Sequence, residues 1–471
     1  MREITAASAT ELARAIRAKE VSSVEVTQAH LSQIEAVNPK INGVVQVTAE
    51  SALKRARELD RLLANDHPVG PLHGVPTTVK DGWDLAGVIS TAGTEGRKSF
   101  VPAESATVVS RVYAAGCVIL GKTNVPELSC AFETDNLVYG RTNNPYKLDR
   151  TSGGSGGGGA ASIASGMSPF EIGEDTGGSI RLPSHCCGIA GIRSTTGRVP
   201  LTGYYPPIAG LVAPVSAAGP MARRVEDLFT TLSVVAGPDW RDPQVVPMPL
   251  GDPRAVRLPR LRVAFHTDNG IFSPTSETAT AVIAAAKACG EAGMIVEEKR
   301  PNGIEHTNEL FLPILAADGG AEISRWLKQA GTTHLHPSLA RLLQMEGGLQ
   351  VSGADLAAGL SRLDQFRSAM IWFMRDYDVI ISPVAGCPAL PHGKSFDEDV
   401  TRVFSYTATY NLTGWPAVVV RAGTSPEGLP IGVQVIAKPW REDVALAVAN
   451  HVEVALGGWL SPLMVADSIP V

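Results

Sequence analysis

Several things are scarce in this chain of 471 residues, and each scarcity closes off a class of protein. Six cysteines, at 117, 130, 186, 187, 289 and 387, are scattered along its length. That density is far below a disulfide scaffold, and adjacent Cys186 and Cys187 are not a metal-ligand spacing. No apolar run reaches the 18 residues a membrane span needs, and MREITAASATELARAIRAKE at the start lacks the apolar core of a signal peptide. A reduced cytoplasmic setting is the expectation, and the sequon Asn411-Leu412-Thr413 is then expected to go unused. Net charge is −6 with a pI near 6.0, so there is no basic footprint for nucleic acid and no polybasic membrane anchor. No internal repeat is found. What is present, 44% hydrophobic and 19% charged residues, fits a globular protein with a sizeable core.

Glycine is abundant, and its placement organises the chain. Ser152 to Gly159 is Gly and Ser throughout, and a second Gly-Gly-Ser follows at Gly177, Gly178 and Ser179. Glycine at this density permits close backbone approach and φ > 0. Successive free N–H groups there form a nest for developing negative charge. The alternative is a flexible linker. Structured-looking sequence on both sides argues against it: Ala160–Ser165 reads as a helix start and Pro169–Ile172 as a buried strand.

Elsewhere the pattern alternates helix and strand. Ser8 or Thr10 is expected to cap a helix through Arg17, and Ser22 or Ser23 a second through Ala36, stopped by Asn38-Pro39. Strands are expected at Asn42–Val47, at Thr77–Val79 running into Lys80, and at Cys117–Leu120; helices at Thr48–Ala64 and Thr107–Ala115. Residues 240–257 hold four prolines and read as a long loop. Leu261–Phe265, Met294–Glu297, Val379–Pro383, Ala417–Arg421 and Ile431–Ile436 read as strands, Thr275–Ala292 as a helix, and 305–375 as mostly helical. The expected fold is α/β, a large twisted mixed β-sheet with helices on both faces. The expected organisation is one domain over 1–471, in which the more variable 240–375 forms part of a substrate pocket.

Cleaving an amide needs a nucleophile, a base and a pocket for the oxyanion. None of the ten histidines lies in a motif that suggests a base, and His185 reads as a packing residue. A buried, neutral lysine can serve instead, and Lys80 at a strand end is a candidate; read alone, it is equally a solvated loop lysine. Three further patterns are decoys. Gly116–Thr123, GCVILGKT, matches a phosphate loop, but its middle reads as strand and Asn124-Val125-Pro126 follows where a helix should start. GGSGG at Gly153–Gly157 matches a nucleophile elbow with a distant histidine such as His392, yet no apolar strand enters it. Ser51-Ala-Leu-Lys54 matches S-x-x-K in the middle of an amphipathic helix.

TSGGSGG followed by EDTGGSIRLP resembles the signature segment of the amidase signature hydrolases. GVPTTVKD at Gly74–Asp81 resembles that family's lysine motif, and GKTNVPEL, YGRTNNPY, NLTGWPAVVV and GLPIGVQVIAKP follow in order. The resemblance spans about residues 8 to 450 and thins between about 240 and 370. It implies an amidohydrolase with a Ser–cis-Ser–Lys triad: Ser179 the nucleophile, Ser155 the bridging serine behind a cis Gly154–Ser155 peptide, Lys80 the base. It also implies an oxyanion pocket of backbone N–H groups at Thr176, Gly177, Gly178 and Ser179, with Asp175 and Arg181 holding the loop. Ser129 and Cys130 match pocket-lining positions, and Tyr204, in a Tyr- and Pro-rich loop, suggests an apolar or aromatic pocket. No metal and no cofactor are implied. Substrates would be small amides, esters or carbamates. A transamidase-type subunit handing ammonia to a partner is the main alternative, and nucleotide binding through GCVILGKT a remote one. A homodimer fits the sequence as well as a monomer does.

There are two departures from the family pattern. Gly156 stands where a second serine is common, which leaves the triad intact. Glu174 replaces a frequent threonine. A carboxylate near Lys80 would oppose a neutral base, so Glu174 is expected to point elsewhere or to be paired.

Overall fold

The computed structural model describes residues 2–67, 69–394 and 400–462. Eleven strands form one sheet: β1 (Val44–Val47), β2 (Pro76–Lys80), β3 (Val118–Thr123), β4 (Phe170–Asp175), β5 (Ala190–Arg193), β6 (Ala217–Ala222), β7 (Arg262–Phe265), β8 (Ile295–Glu298), β9 (Val379–Pro383), β10 (Ala417–Thr424) and β11 (Pro430–Ala437). Their order is β1-β3-β2-β4-β6-β5-β10-β11-β9-β7-β8. β2 runs parallel to both β3 and β4, and β7 to both β8 and β9, while β4–β6, β6–β5, β5–β10, β10–β11 and β11–β9 are antiparallel. The sheet is mixed, as expected.

Alternation along the central strands explains its two covered faces. In β9, Val379 and Ile381 pack with the helices Ala9–Arg17, Thr107–Ala114, Val225–Val235, Ser276–Glu291 and Glu442–Leu456. Ile380 between them packs on the other face with Thr307–Leu315, Gly353–Phe373 and Ser405–Thr413. None of the described helices is long and apolar enough to cross a membrane.

Two local readings are corrected. The second helix does not stop at Asn38-Pro39; it continues from Ser23 to Ile41. A proline in the last turn removes a single intrahelical bond. Asn38 stabilises the exit: its Oδ1 accepts from Gly43 N and Val44 N at 2.9 Å each, and its Nδ2 donates to Val44 O at 2.7 Å. The helix after the glycine run begins at Gly157 rather than Ala160. Tertiary packing overrides propensity there. A Cβ on Gly159 would lie 2.0 Å from the Glu171 carboxylate, and one on Gly158 would lie 2.4 Å from Asn124 N. Only a glycine surface lets this helix sit so low on β3 and β4.

Candidate active site

The site forms where two parallel strands end together. β2 and β4 pair with Thr78 opposite Glu171 and Val79 opposite Ile172. Their carboxyl ends therefore release Lys80 and the Asp175–Ser179 turn on the same edge of the sheet, where open α/β sheets tend to bind ligands. Lys80 is wholly buried, and its Nζ is hydrogen-bonded with Ser155 Oγ at 2.8 Å. Ser155, also buried, enters through a cis Gly154–Ser155 peptide, as expected. Gly156 N donates to Ser179 O at 3.1 Å and ties the two serine loops together. Ser179 is half-buried, so the order Lys80, Ser155, Ser179 runs from the interior outward. The two serine hydroxyls are not hydrogen-bonded to each other here; catalytic contacts of this kind commonly tighten once substrate is bound.

Asp175 and Arg181 hold the turn that carries Ser179. Asp175 accepts from Gly178 N at 2.9 Å, Ile180 N at 3.2 Å and Arg181 Nη2 at 2.9 Å. Burial would push the Asp175 carboxyl up, but the Arg181 guanidinium, with Arg193 and Asn411 behind it, outweighs burial and holds it well below the usual carboxylate range. Arg181 in turn donates from Nη1 to Thr407 O at 2.9 Å and to Gln434 Oε1 at 3.1 Å, and from Nη2 to Asn411 Oδ1 at 2.5 Å. Thr407, Asn411 and Gln434 were assigned no role from sequence. The signal was present in NLTGWPAVVV and GLPIGVQVIAKP, but a block of letters does not say which distant turn it supports. The Asn411 amide of the sequon is fully buried and serves this network.

The oxyanion pocket needs one correction. The Gly178 N–H, expected to point at the oxyanion, is taken by Asp175 beneath the turn. The N–H groups of Thr176, Gly177 and Ser179 are not hydrogen-bonded within the described residues. Gly178 is required for another reason. It has φ of +126°, and a Cβ there would fall 2.6 Å from Thr407 Oγ1, which itself donates to Gly177 O at 2.7 Å.

Glu174 does not point elsewhere. Its Oε2 lies 3.8 Å from Lys80 Nζ, both side chains being buried. It is also paired: Oε1 accepts from Thr176 Oγ1 at 2.5 Å. Burial drives the Lys80 pKa down, with Glu174, Glu171 and Asp175 pushing back. Burial likewise raises Glu174, opposed first by Lys80 and then by Thr176.

Tyr204, Ser129 and Cys130 gather behind this pair. Tyr204 OH lies 2.9 Å from Ser129 Oγ, and its ring centre is 5.4 Å from Lys80 Nζ. Cys130 is close enough to sense both Lys80 and Glu174, although burial pushes its thiol up and away from reactivity. In front, Phe311 of the helix Thr307–Leu315 lies 3.4 Å, and Phe132 3.9 Å, from where a Cβ on Gly177 would be. Phe132 packs on Phe404 with ring centres 4.5 Å apart. Neither Phe132 nor Phe311 stood out in the sequence.

The decoys resolve as structure. Lys122 of GCVILGKT is buried in β3, donates to Trp83 O and to Ser90 Oγ at 3.1 Å, and pairs with Asp81 at 3.3 Å. That lysine is unavailable to a phosphate, which removes the nucleotide reading. His185 accepts from Gly432 N at 3.0 Å through Nδ1 and donates from Nε2 to Cys387 O at 3.0 Å, a packing role. His392 is held by Glu133 at 2.7 Å and by Leu148 O at 3.1 Å. Ser51 lies inside the helix Ala49–Ala64 and bonds Thr48 O.

The profile of the Amidase family matches residues 25–446, and the chain belongs to this amidase signature family. It is 33% identical over 98% of both chains to an acylamidase of Rhodococcus erythropolis. It is 31% identical to a glutamyl-tRNA(Gln) amidotransferase subunit of Carboxydothermus hydrogenoformans, covering 95% of this chain and 96% of that one. Among solved structures it superposes on 6-aminohexanoate cyclic dimer hydrolase complexed with substrate, with a TM-score of 0.85 and 29% identity over 96% of this chain and 97% of that chain.

Proposed function

We propose that this amidohydrolase cleaves the C–N bond of small carboxamides through an acyl-enzyme on Ser179. The observation that carries the reading is the 2.8 Å bond from buried Lys80 Nζ to Ser155 Oγ, one step from the half-buried Ser179. Lys80, as the free amine, takes the Ser155 proton while Ser155 takes that of Ser179. Ser179 Oγ then attacks the carbonyl carbon, and its oxyanion is met by the N–H groups of Thr176, Gly177 and Ser179. The proton returns through Ser155 to the leaving amine, and the same relay later activates water. Esters and carbamates pass through the same tetrahedral oxyanion and fit the same site.

The direct test is intact mass after treatment with phenylmethylsulfonyl fluoride: one sulfonyl group, mapped to Ser179, is expected. Labelling elsewhere, or none, contradicts the reading. The rate should be lost as pH falls through the Lys80 pKa. Burial places that limb below the ordinary lysine range.

Phe311 and Phe132 beside Gly177 support an aromatic or apolar acyl group. Phe311→Ala is expected to raise KM for an aryl amide by about tenfold, roughly the transfer energy of part of an aromatic ring, and to leave acetyl substrates unchanged. Equal losses on both would remove Phe311 from specificity.

The likeness to a glutamyl-tRNA(Gln) amidotransferase keeps one alternative in view, in which this chain delivers ammonia to a partner. Full amide turnover by the isolated chain argues for the hydrolase. Turnover only in the presence of a second protein argues for the ammonia-delivering role.

A further inference from the structure

Glu174 raises a charge-balance problem that its contacts resolve. Around it stand Lys80 from β2, Tyr204 from the loop after Gly203, Cys130 from the turn after Glu127, Arg193 from β5, and Asp175 next to it on β4. Arg181 is taken by Asp175, and Arg193 lies 3.8 Å from the same carboxylate. Lys80, at 3.8 Å, is therefore the cation available to Glu174 among the described residues. That gap is too long for a hydrogen bond, so the two groups interact through their charges.

Three proton counts are open to the pair. With two protons, Lys80 is an ammonium and cannot accept from Ser155. With none, Lys80 is free, but a carboxylate sits in a dry site without a counter-ion, which is costly. With one proton, an ion pair again disables the base; a neutral amine beside a neutral acid leaves the base free and buries no net charge. The surroundings favour this last form: both side chains are buried, and across a 3.8 Å gap with no hydrogen bond an ion pair repays little of the cost of desolvating two charges. Burial accordingly moves Lys80 down and Glu174 up.

We infer that Glu174 is an uncharged carboxylic acid in the resting protein and keeps the single proton of the Lys80–Glu174 pair, leaving Lys80 as the free amine. This rests on the reading of Lys80 as the base. The proton balance is simple: what Lys80 Nζ gives up, the Glu174 carboxylate holds. During acylation Lys80 gains a second proton from Ser155, and it is that proton which returns to the leaving amine. Glu174 touches no substrate; it is a positioning residue for a proton. The Thr176 hydroxyl on its Oε1 couples it to the turn that carries Ser179.

The test combines infrared difference spectroscopy at neutral pH, wild type minus Glu174→Gln, with the pH profile of kcat/KM. A carboxylic-acid C=O band that shifts in heavy water and disappears in the variant is expected. Glu171→Gln identifies the band of Glu171, whose carboxyl burial also pushes up to about 7. The acid limb is expected to stay in place in Glu174→Gln, because an amide is as uncharged as the acid it replaces. A resident carboxylate would have been stabilising the ammonium from 3.8 Å. Its removal would then move the limb toward acid by about one to three pH units, taking an effective dielectric near 20 as the upper case. Carboxylate bands assigned to Glu174, or such a shift, would overturn the inference. If the amide variant does not fold, Glu174→Thr provides the same subtraction. Sulfonylation of Ser179, lost in Lys80→Ala, tests the base separately. A protein that labels at Ser179 and shows an ionised Glu174 sinks this inference and leaves the proposed function standing.

Discussion

Ser179→Ala is expected to lower kcat for a p-nitroanilide by about 10⁴-fold or more, and Lys80→Ala to do the same, with circular dichroism and melting behaviour preserved in the serine variant. On the proposed reading Ser179, Ser155 and Lys80 act as one unit, so removing any member costs nearly as much as removing all, and the losses do not add. The double variant is therefore expected to be no slower than the worse single one. The structural ground is the direct Lys80 Nζ–Ser155 Oγ bond and the Gly156–Ser179 tie that brings the third member alongside. Wild-type-like turnover in either single variant would refute the assignment. A rate that fell further in the double variant would mean that Lys80 acts apart from the serines.

The largest effect on folding is expected at Arg181, a residue that touches no substrate. Arg181→Met keeps the volume but leaves Asp175 as a buried anion deprived of its main partner. Breaking a buried pair from one side typically costs about 3–5 kcal/mol. Arg193, 3.8 Å away, offsets only part of this. The pH dependence has a definite sign. Arg181 holds the Asp175 carboxyl below its unfolded value of about 3.9. The stability it brings is thus complete above that value and is lost as pH falls toward the folded one. Urea unfolding should show the full deficit of Arg181→Met at neutral pH and a smaller one in acid. A deficit below about 1 kcal/mol at pH 7 would show that Arg193 and the N–H groups suffice to hold the carboxylate.

How much of this could be read from the letters depends on range. Local signals served well: Ser8 caps its helix and Thr77–Val79 runs as a strand into Lys80. The cis bond before Ser155 came from the family resemblance. The mixed sheet was likewise legible, and so, through the resemblance, was the approach of Lys80 to Ser155. β5 and β6, with sequences AGIR and AAGPMA, were not singled out, because neither carries the β-branched pattern that marks a strand; central placement in the sheet makes them strands. The helix through Pro39 and the helix starting at Gly157 broke the local rule for different reasons. The Asn38 side chain holds the exit of the first through Gly43 and Val44 just beyond it, and the Glu171 carboxylate beneath the second leaves room only for glycine. Glu174 was recognised as a departure, and of the two arrangements expected for it the paired one holds. Its hold by Thr176 cannot be seen without knowing how the turn after β4 folds back on the strand. The Gly178 N–H was misassigned because a turn offers its donors in two directions, and sequence does not say which donor Asp175 takes.

The turn bearing Ser179 is braced by side chains that come much later in the chain, at 407, 411 and 434. A polypeptide still being made on the ribosome carries its serines and lysine long before that brace exists. On the proposed reading the Ser179 hydroxyl therefore stays dormant through most of synthesis, and a fragment ending before the last strands would carry Lys80, Ser155 and Ser179 yet lack the side chains that brace the turn.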